Sequence, residues 1–180
     1  MRKSILAATA LFLILSQSAL AGGTFPDFSI RTNLEESDRT YLGLTETEQF
    51  RLSDTAAEYL LIEVFSMYCP LCQKDAPTVN VWFEEIAAEG NNGKIKLIGI
   101  GAGNTPFEVE FFRKKFNVPF PLIPDEDYSM HKALGNVGTP YFVLVKNSGP
   151  DNLEIMYARE GAVDNEATML RDILSKAGIR

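Results

Sequence analysis

The only two cysteines of the chain, Cys69 and Cys72, are separated by two residues in the stretch EVFSMYCPLCQKDAP. Thiols at this spacing can ligate a metal ion, close a structural disulfide or exchange disulfides. A zinc site lacks ligands, because tetrahedral zinc needs four and the one histidine, His131, lies far along the chain. A structural disulfide explains the pair poorly, because closing so short a loop removes little entropy from the unfolded chain. The pair therefore favours redox exchange, with no metal.

The elements around the cysteines place Cys69 where a thiol becomes reactive. The apolar run YLLIEVF, residues 59–65, predicts a central strand covered on both faces. From Pro70 to Glu89 the apolar residues have helical spacing, and Pro70 suits a first helical turn. Cys69 thus lies at a helix N-terminus, where free N–H groups and the helix dipole favour the thiolate. A C-x-x-C motif at such a junction in an α/β pattern predicts redox activity.

The rest of the chain continues the alternation of strands and helices. An α/β sheet with helices on both faces is therefore the predicted fold class. Residues 25–54 predict only short strands or turns, with Glu35, Glu36 and Asp38 in a solvated loop. The predicted elements are strand 94–100, helix 106–116, extended 120–123, short helix 128–134, strands 140–145 and 153–158, and helix 165–176.

Two further patterns are assigned to structure rather than to chemistry. The stretch GIGAGN, residues 99–104, resembles a dinucleotide fingerprint, but Asn104 replaces the third glycine and no acidic residue follows on a second strand. It is predicted to be a flexible strand-to-helix turn. Core or helix-packing positions are predicted for Trp82 and for the phenylalanines at 107, 111, 112 and 116.

The first 21 residues predict a secretory signal peptide. Arg2 and Lys3 precede an apolar run from Ile5 to Leu15, and Ala19-Leu20-Ala21 forms a cleavage site. Residues 22–180 would then form one soluble domain in the periplasm or outside the cell, where disulfides persist. Loss of Arg2 and Lys3 takes the formal charge from −7 to −9, and such an acidic body argues against a nucleic-acid partner.

The chain resembles thioredoxin-fold proteins, and within the redoxin superfamily it resembles the exported TlpA/ResA-type thiol-disulfide oxidoreductases. The resemblance is carried by FPDFSI, LLIEVFSMYCPLCQKDAP, FPLIPDED and GNVGTPYFVLV. It implies a thioredoxin-like fold, with a mixed central sheet flanked by helices on both faces and extra N-terminal strands. It also implies that Cys69 is the nucleophile, Cys72 the resolving cysteine, Pro77 the proline that kinks the active-site helix, and Pro140 a cis-proline facing the disulfide.

Two acidic residues match positions that this resemblance marks as important. Glu63 matches the buried carboxylate of thioredoxins, although those carry aspartate there, and a buried carboxylate can accept the proton that Cys72 must lose. The alternative is a glutamate on an edge strand, pointing to solvent. Asp75 matches an acidic residue of the TlpA/ResA type. It either tunes the pKa of the cysteine pair or is a solvated helix carboxylate.

The resemblance also implies a substrate-binding surface. A cis bond before Pro140 exposes the backbone of Thr139, so that a substrate strand can pair with it beside the sulfurs. Tyr68, next to Cys69, stands where thioredoxins often carry tryptophan and is expected on the same surface.

The leading functional interpretation is a periplasmic thiol-disulfide oxidoreductase that exchanges disulfides with proteins through its CPLC site. A reductant is favoured over a strong oxidant, because Pro70 and Leu71 offer no charge to stabilise the Cys69 thiolate. The expected redox group is the Cys69–Cys72 disulfide without a cofactor, and the resemblance implies a membrane-embedded electron donor.

Two alternatives stay open. A peroxiredoxin-like thiol peroxidase would carry P-x-x-x-[ST]-x-x-C; Ser66 fits this pattern, but Ile62 occupies the proline position. A non-catalytic redox sensor or binding module on the same fold is the other, and the Cys69→Ser variant would distinguish it from an enzyme.

Overall fold

A computed structural model describes residues 22–45 and 48–179, so the predicted signal peptide lies outside the described residues. Each element predicted from position 59 onward is present; the strand at 59–65 and the helix at 106–116 have their predicted ends, and the ends of the other elements differ by one to a few residues. The elements are β1 (Ser29–Arg31), α1 (Glu36–Leu42), β2 (Gln49–Arg51), β3 (Tyr59–Phe65), α2 (Pro70–Ala88), β4 (Ile95–Ala102), α3 (Pro106–Phe116), β5 (Leu122–Asp125), α4 (Ser129–Ala133), β6 (Tyr141–Asn147), β7 (Leu153–Glu160) and α5 (Glu166–Lys176).

The central sheet is mixed and has the strand order β5-β4-β3-β6-β7. The strand pairs β3–β4 and β4–β5 are parallel, whereas β3–β6 and β6–β7 are antiparallel. The apolar strand β3 is buried along its whole length at the centre of the sheet, as its composition predicts. The short strands β1 and β2 form a separate antiparallel pair, which confirms the extra N-terminal strands.

Two hydrophobic clusters cover the two faces of the sheet. One contains residues of α2, α3 and α5, and the other contains residues of α1 and α4 together with the N-terminal strands. Side chains alternate between the faces along a strand, so Leu61 and Phe65 join the first cluster while Ile62 joins the second. Glu63 is two residues from both Leu61 and Phe65, and its side chain is therefore directed to the same face of the sheet, the one that α2 covers.

The prediction of only short strands or turns over residues 25–54 is wrong for α1, which is a helix, and the solvated loop predicted around Glu35, Glu36 and Asp38 is wrong for Asp38. Glu36 begins α1, and Asp38 lies within that helix with only 6% of its surface exposed. Its Oδ2 atom accepts a hydrogen bond from Nη2 of Arg113 on α3 at 2.9 Å. The distant arginine compensates the buried charge, and a local sequence pattern cannot reveal such a partner.

Candidate active site

Cys69 occupies the N-cap of α2, beyond the C-terminal end of β3. After Phe65 the chain makes a turn in which the N–H of Cys69 donates to the carbonyl of Ser66 at 3.0 Å. The N–H of Cys72 donates to Sγ of Cys69 at 3.3 Å, so the sulfur takes the acceptor position of a usual N-cap oxygen. The Cys69 thiol itself donates to the carbonyl oxygen of Thr139 at 3.2 Å. The predicted nucleophile is thus held between the helix N-terminus and the loop before β6.

The surroundings of Cys69 favour its thiolate. Burial raises the pKa of the Cys69 thiol, but hydrogen bonds from the side chain and backbone of Cys72 lower it, and the net pKa lies below its ordinary value. Cys69 is only partly buried and is therefore accessible. An accessible thiol with a lowered pKa is what nucleophilic attack on a disulfide requires.

The surroundings of Cys72, in contrast, favour its neutral thiol. It is completely buried, and burial, followed by its hydrogen bond to Cys69, raises the pKa of its thiol far above the ordinary value. It cannot become a thiolate near neutral pH unless a nearby base accepts its proton. Cys69 is therefore suited to attack a substrate disulfide, and Cys72 is suited to attack the mixed disulfide afterwards, once a base has taken its proton.

Glu63 is the buried carboxylate of this site, and the edge-strand alternative is wrong. It is 3% exposed, and in the sheet register it lies between Gly99 of β4 and Phe142 of β6. Burial, then the charge of Asp75 and the charge of Cys69, raise the pKa of Glu63 to about 8. Its Oε1 atom has no hydrogen-bond partner among the described residues. A carboxyl group with this pKa can hold or release a proton close to neutral pH.

Asp75 is buried rather than solvated. It is 3% exposed, and its Oδ2 accepts a hydrogen bond from the N–H of Val163, in the loop between β7 and α5, at 2.8 Å. Because its charge raises the pKa of Glu63, Asp75 acts on the carboxylate beside Cys72. This placement favours the tuning interpretation over the solvated one.

The Thr139-Pro140 peptide bond is cis, as the resemblance implies. The loop before it is held from two sides. His131 Nε2 lies 2.7 Å from the carbonyl oxygen of Val137, and the N–H of Gly138 donates to Oε2 of Glu160 at 2.7 Å. These contacts fix the loop whose Thr139 carbonyl receives the Cys69 thiol. Sequence reasoning did not assign either His131 or Glu160 to this loop.

The surface next to Cys69 is aromatic. Tyr68 is 66% exposed, and its hydroxyl donates to the Glu108 carboxylate in the first turn of α3.

Phe107 and Phe111 on α3 are exposed, which contradicts their predicted core positions, whereas Phe112 is buried. Phe107 and Phe111 lie four residues apart, on a face of α3 that no other element of the described residues covers. Trp82 and Phe116 pack in the core cluster as predicted.

Sequence reasoning also missed Asn104, which was assigned to a flexible turn. Its side chain is completely buried and accepts a hydrogen bond from the backbone of Met67, two residues before Cys69. The signal in the sequence is an amide side chain two residues after a buried strand, at the end of the sheet where Cys69 follows the parallel strand β3. In residues 22–45 and 48–179, no group of three or more histidine, cysteine, aspartate or glutamate side chains could hold a metal ion.

Comparison with known proteins finds a family model and curated relatives that agree with the predicted disulfide chemistry. The redoxin family model matches residues 20–173. Among curated proteins, the thiol-disulfide oxidoreductase ResA of Halalkalibacterium halodurans is 23% identical over 149 residues, covering 83% of this chain and 81% of the relative.

Solved structures show the same fold. A candidate thiol:disulfide interchange protein DsbE from Chlorobium tepidum superposes with a TM-score of 0.65 at 16% identity, over 88% of this chain and 99% of that chain. A candidate thioredoxin from Neisseria meningitidis gives a TM-score of 0.61 at 17% identity, over 88% and 91% of the two chains. These likenesses confirm the predicted thioredoxin-like fold.

Proposed function

The chain belongs to the redoxin family and is a thiol-disulfide oxidoreductase, and we propose that it uses Cys69 and Cys72 to reduce disulfides of protein substrates outside the cytoplasm. The observation that carries the proposal is the position of the Cys69 sulfur. It lies 3.3 Å from the N–H of Cys72 and 3.2 Å from the carbonyl of Thr139. The N–H of Cys72 stabilises the thiolate, and the contact with Thr139 places the sulfur beside a backbone edge on which a substrate strand can lie.

The reaction has two exchange steps. The Cys69 thiolate attacks one sulfur of the substrate disulfide, forms a mixed disulfide and releases the other sulfur as a thiolate. Cys72 then gives its proton to Glu63 and attacks Sγ of Cys69, which releases the second substrate thiolate. The substrate has gained two electrons and the enzyme holds a Cys69–Cys72 disulfide. The pair carries the electrons itself, so we expect no dissociable cofactor.

Protein disulfides are the proposed substrates because of the surface around Cys69. Tyr68, Leu71 and Phe107 are large apolar side chains that are exposed beside the nucleophile or at the neighbouring N-terminus of α3. Exposed apolar surface of this kind is typical of protein-interaction sites. A polypeptide that pairs with the backbone at Thr139 would cover it, whereas a small disulfide would not.

The proposed location is the periplasm or the exterior of the cell. It is supported by the predicted signal peptide, residues 1–21, which is not among the described residues. Across the described part of the chain, no helix combines the length and the apolar character needed to cross a bilayer. The Cys69–Cys72 disulfide must be reduced after each turnover, and we propose a membrane-embedded dithiol protein as the electron donor.

The proposal is tested with purified protein, dithiothreitol as donor and insulin as the disulfide substrate. We expect insulin reduction well above the uncatalysed rate, its loss in Cys69→Ser, and a slower resolving step with an altered pH profile in Glu63→Gln. Intact reduction of insulin by Cys69→Ser would exclude this mechanism. Peroxide-dependent oxidation of dithiothreitol at an enzymatic rate would indicate a peroxidase instead.

The direction of electron flow is tested by the equilibrium potential of the Cys69–Cys72 pair against glutathione. A potential near that of thioredoxin, about −270 mV, is expected for a reductant. A potential near −120 mV, roughly that of a strong oxidant, would indicate disulfide formation instead.

A further inference from the structure

The stretch GIGAGN ends in an asparagine that is buried and yet leaves one polar atom unpaired. Asn104 has no exposed surface, and its Oδ1 accepts a hydrogen bond from the N–H of Met67 at 2.8 Å. Its Nδ2 has no partner among the described residues. Because a backbone N–H can only donate, this contact fixes which amide atom faces Met67. A buried, unpaired donor costs free energy, so packing alone does not explain an asparagine here.

The glycines of the same stretch make room for this side chain. Gly101 pairs with Phe65 in the parallel register, which brings the end of β4 next to the end of β3. A Cβ atom on Gly101 would lie 2.9 Å from Cγ2 of Val109 and 3.2 Å from Cβ of Asn104. Gly103 has φ +65°, and a Cβ atom there would lie 2.1 Å from the ring of Tyr128. The turn is therefore tightly packed around Asn104 and is not the flexible connection that its glycines suggest.

The peptide units on both sides of Met67 are held by amide side chains. Asn104 binds the N–H of Met67, and the carbonyl oxygen of Met67 accepts a hydrogen bond from Nε2 of Gln73 at 2.7 Å. Gln73 is itself bound by Lys115 of α3, whose Nζ donates to Oε1 at 3.3 Å. Met67 lies in the turn between β3 and α2, two residues before Cys69, where no strand or helix pairing fixes the backbone.

We propose that Asn104 and Gln73 clamp Met67 and thereby position the Cys69 sulfur against the N-terminus of α2. Asn104 is a positioning residue, because it acts on Cys69 through the backbone of Met67. The inference rests on the proposed function, since it assumes that the Cys69 thiolate is the reacting group.

Removal of either amide frees one side of the turn. In Asn104→Ala the N–H of Met67 loses its acceptor, and the backbone before Cys69 can rotate. The sulfur then moves away from the N–H of Cys72, which it meets at 3.3 Å in the intact site. A thiolate that loses such a hydrogen bond is less stable, so less of Cys69 is ionised at a given pH.

The test measures the alkylation rate of Cys69 by iodoacetamide in the reduced full-length protein between pH 5 and 9, with the labelled peptide identified by mass spectrometry. Cys72 is buried, so the label reports on Cys69. We expect Asn104→Ala to shift the pH profile upward and to lower the rate at pH 6 by about three- to tenfold, which corresponds to half a pKa unit to one unit. Gln73→Ala should shift the profile in the same direction. The double variant should lose less than the product of the two separate effects, because both act on one turn.

Asn80→Ala is the matched control. Asn80, like Asn104, binds the backbone through its side-chain amide: its Nδ2 donates to the carbonyl oxygens of Phe116 at 2.9 Å and Asn117 at 3.3 Å, and its buried Oδ1 has no partner among the described residues. It lies in α2 away from the cysteines, so its loss should lower the melting temperature without moving the alkylation profile. If Asn104→Ala is destabilised like Asn80→Ala but keeps the wild-type profile, the clamp is refuted.

Gln73 keeps the proposal testable if Asn104→Ala does not fold. Gln73 is only partly buried, and an unchanged profile in Gln73→Ala would then refute the clamp. Alkylation needs no substrate turnover. A wild-type protein that fails to reduce insulin would therefore refute the proposed function and leave the clamp to be judged by the alkylation profile.

Discussion

Replacement of Glu63 by glutamine should stabilise the protein in a pH-dependent way. Glu63 is buried, its Oε1 has no hydrogen-bond partner among the described residues, and its pKa is raised to about 8, first by burial and then by the charge of Asp75. Glutamine has nearly the same shape and no charge. It therefore removes the cost of ionising this side chain and leaves the packing intact.

The magnitude follows from the difference between the folded and unfolded pKa values. Below pH 4.5 Glu63 is protonated in both states and carries no penalty. As the pH rises, the unfolded chain releases the proton first, and the folded protein loses about 1.36 kcal/mol of stability per pH unit until its own pKa is reached. From 4.5 to about 8 this loss sums to about 5 kcal/mol. Glu63→Gln should regain this amount at pH 9 and none of it at pH 4.

Urea denaturation of the reduced protein at pH 4, 6, 7.5 and 9 measures the difference between Glu63→Gln and wild type. Glu84→Gln, at an exposed position of α2, is the control and should change stability by less than about 0.5 kcal/mol at every pH. The expected gain for Glu63→Gln grows steadily from pH 4 to pH 9. A constant difference, or a less stable variant at pH 9, would refute the assignment of Glu63 as a buried carboxyl group with a raised pKa.

Two further predictions concern side chains that belong to α3 or contact it. Asp38→Asn should lower the free energy of unfolding by about 2–3 kcal/mol in urea, because it removes the closer and more buried of the two carboxylate partners of Arg113, the other being Glu110; a loss below about 0.5 kcal/mol would contradict this. Phe107→Ala should lower kcat/KM at least about tenfold for reduction of insulin and less than about twofold for oxidised glutathione, because covering one phenylalanine side chain is worth about 1.5–3 kcal/mol. Val81→Ala, another exposed apolar residue, is the control, and equal losses for both disulfides would contradict a protein-docking role for Phe107.

The sequence predicts the framework well, because the framework follows from local patterns. The apolar run at 59–65 is the buried strand β3, and the helix predicted over 106–116 has those ends in the structure. Helical spacing and proline at a first turn are local signals, and they also place Cys69 at the N-cap of α2. The burial of Glu63 follows from the apolar residues on either side of it in the strand.

The predictions from the sequence are wrong where residues distant in the chain determine the environment of a side chain. Asp38 is acceptable in the interior only because Arg113 reaches it from α3. Phe107 belongs to a helix with a normal apolar pattern, yet within residues 22–45 and 48–179 no element covers that face of α3. Asn104 follows glycines that suggest flexibility, whereas the packing of Tyr128 and Val109 shows a tight turn. A single sequence does not reveal such pairings between distant segments.

Trapping of the mixed disulfide shows whether Cys69 is the attacking thiol and Cys72 the resolving one. Reduced Cys72→Ser is mixed with a peptide that contains one disulfide, and the adduct is located by mass spectrometry. We predict a stable adduct on Cys69, and no adduct when Cys69→Ser is treated in the same way. An adduct on Cys72 of the Cys69→Ser variant, formed as fast as the first, would contradict the account.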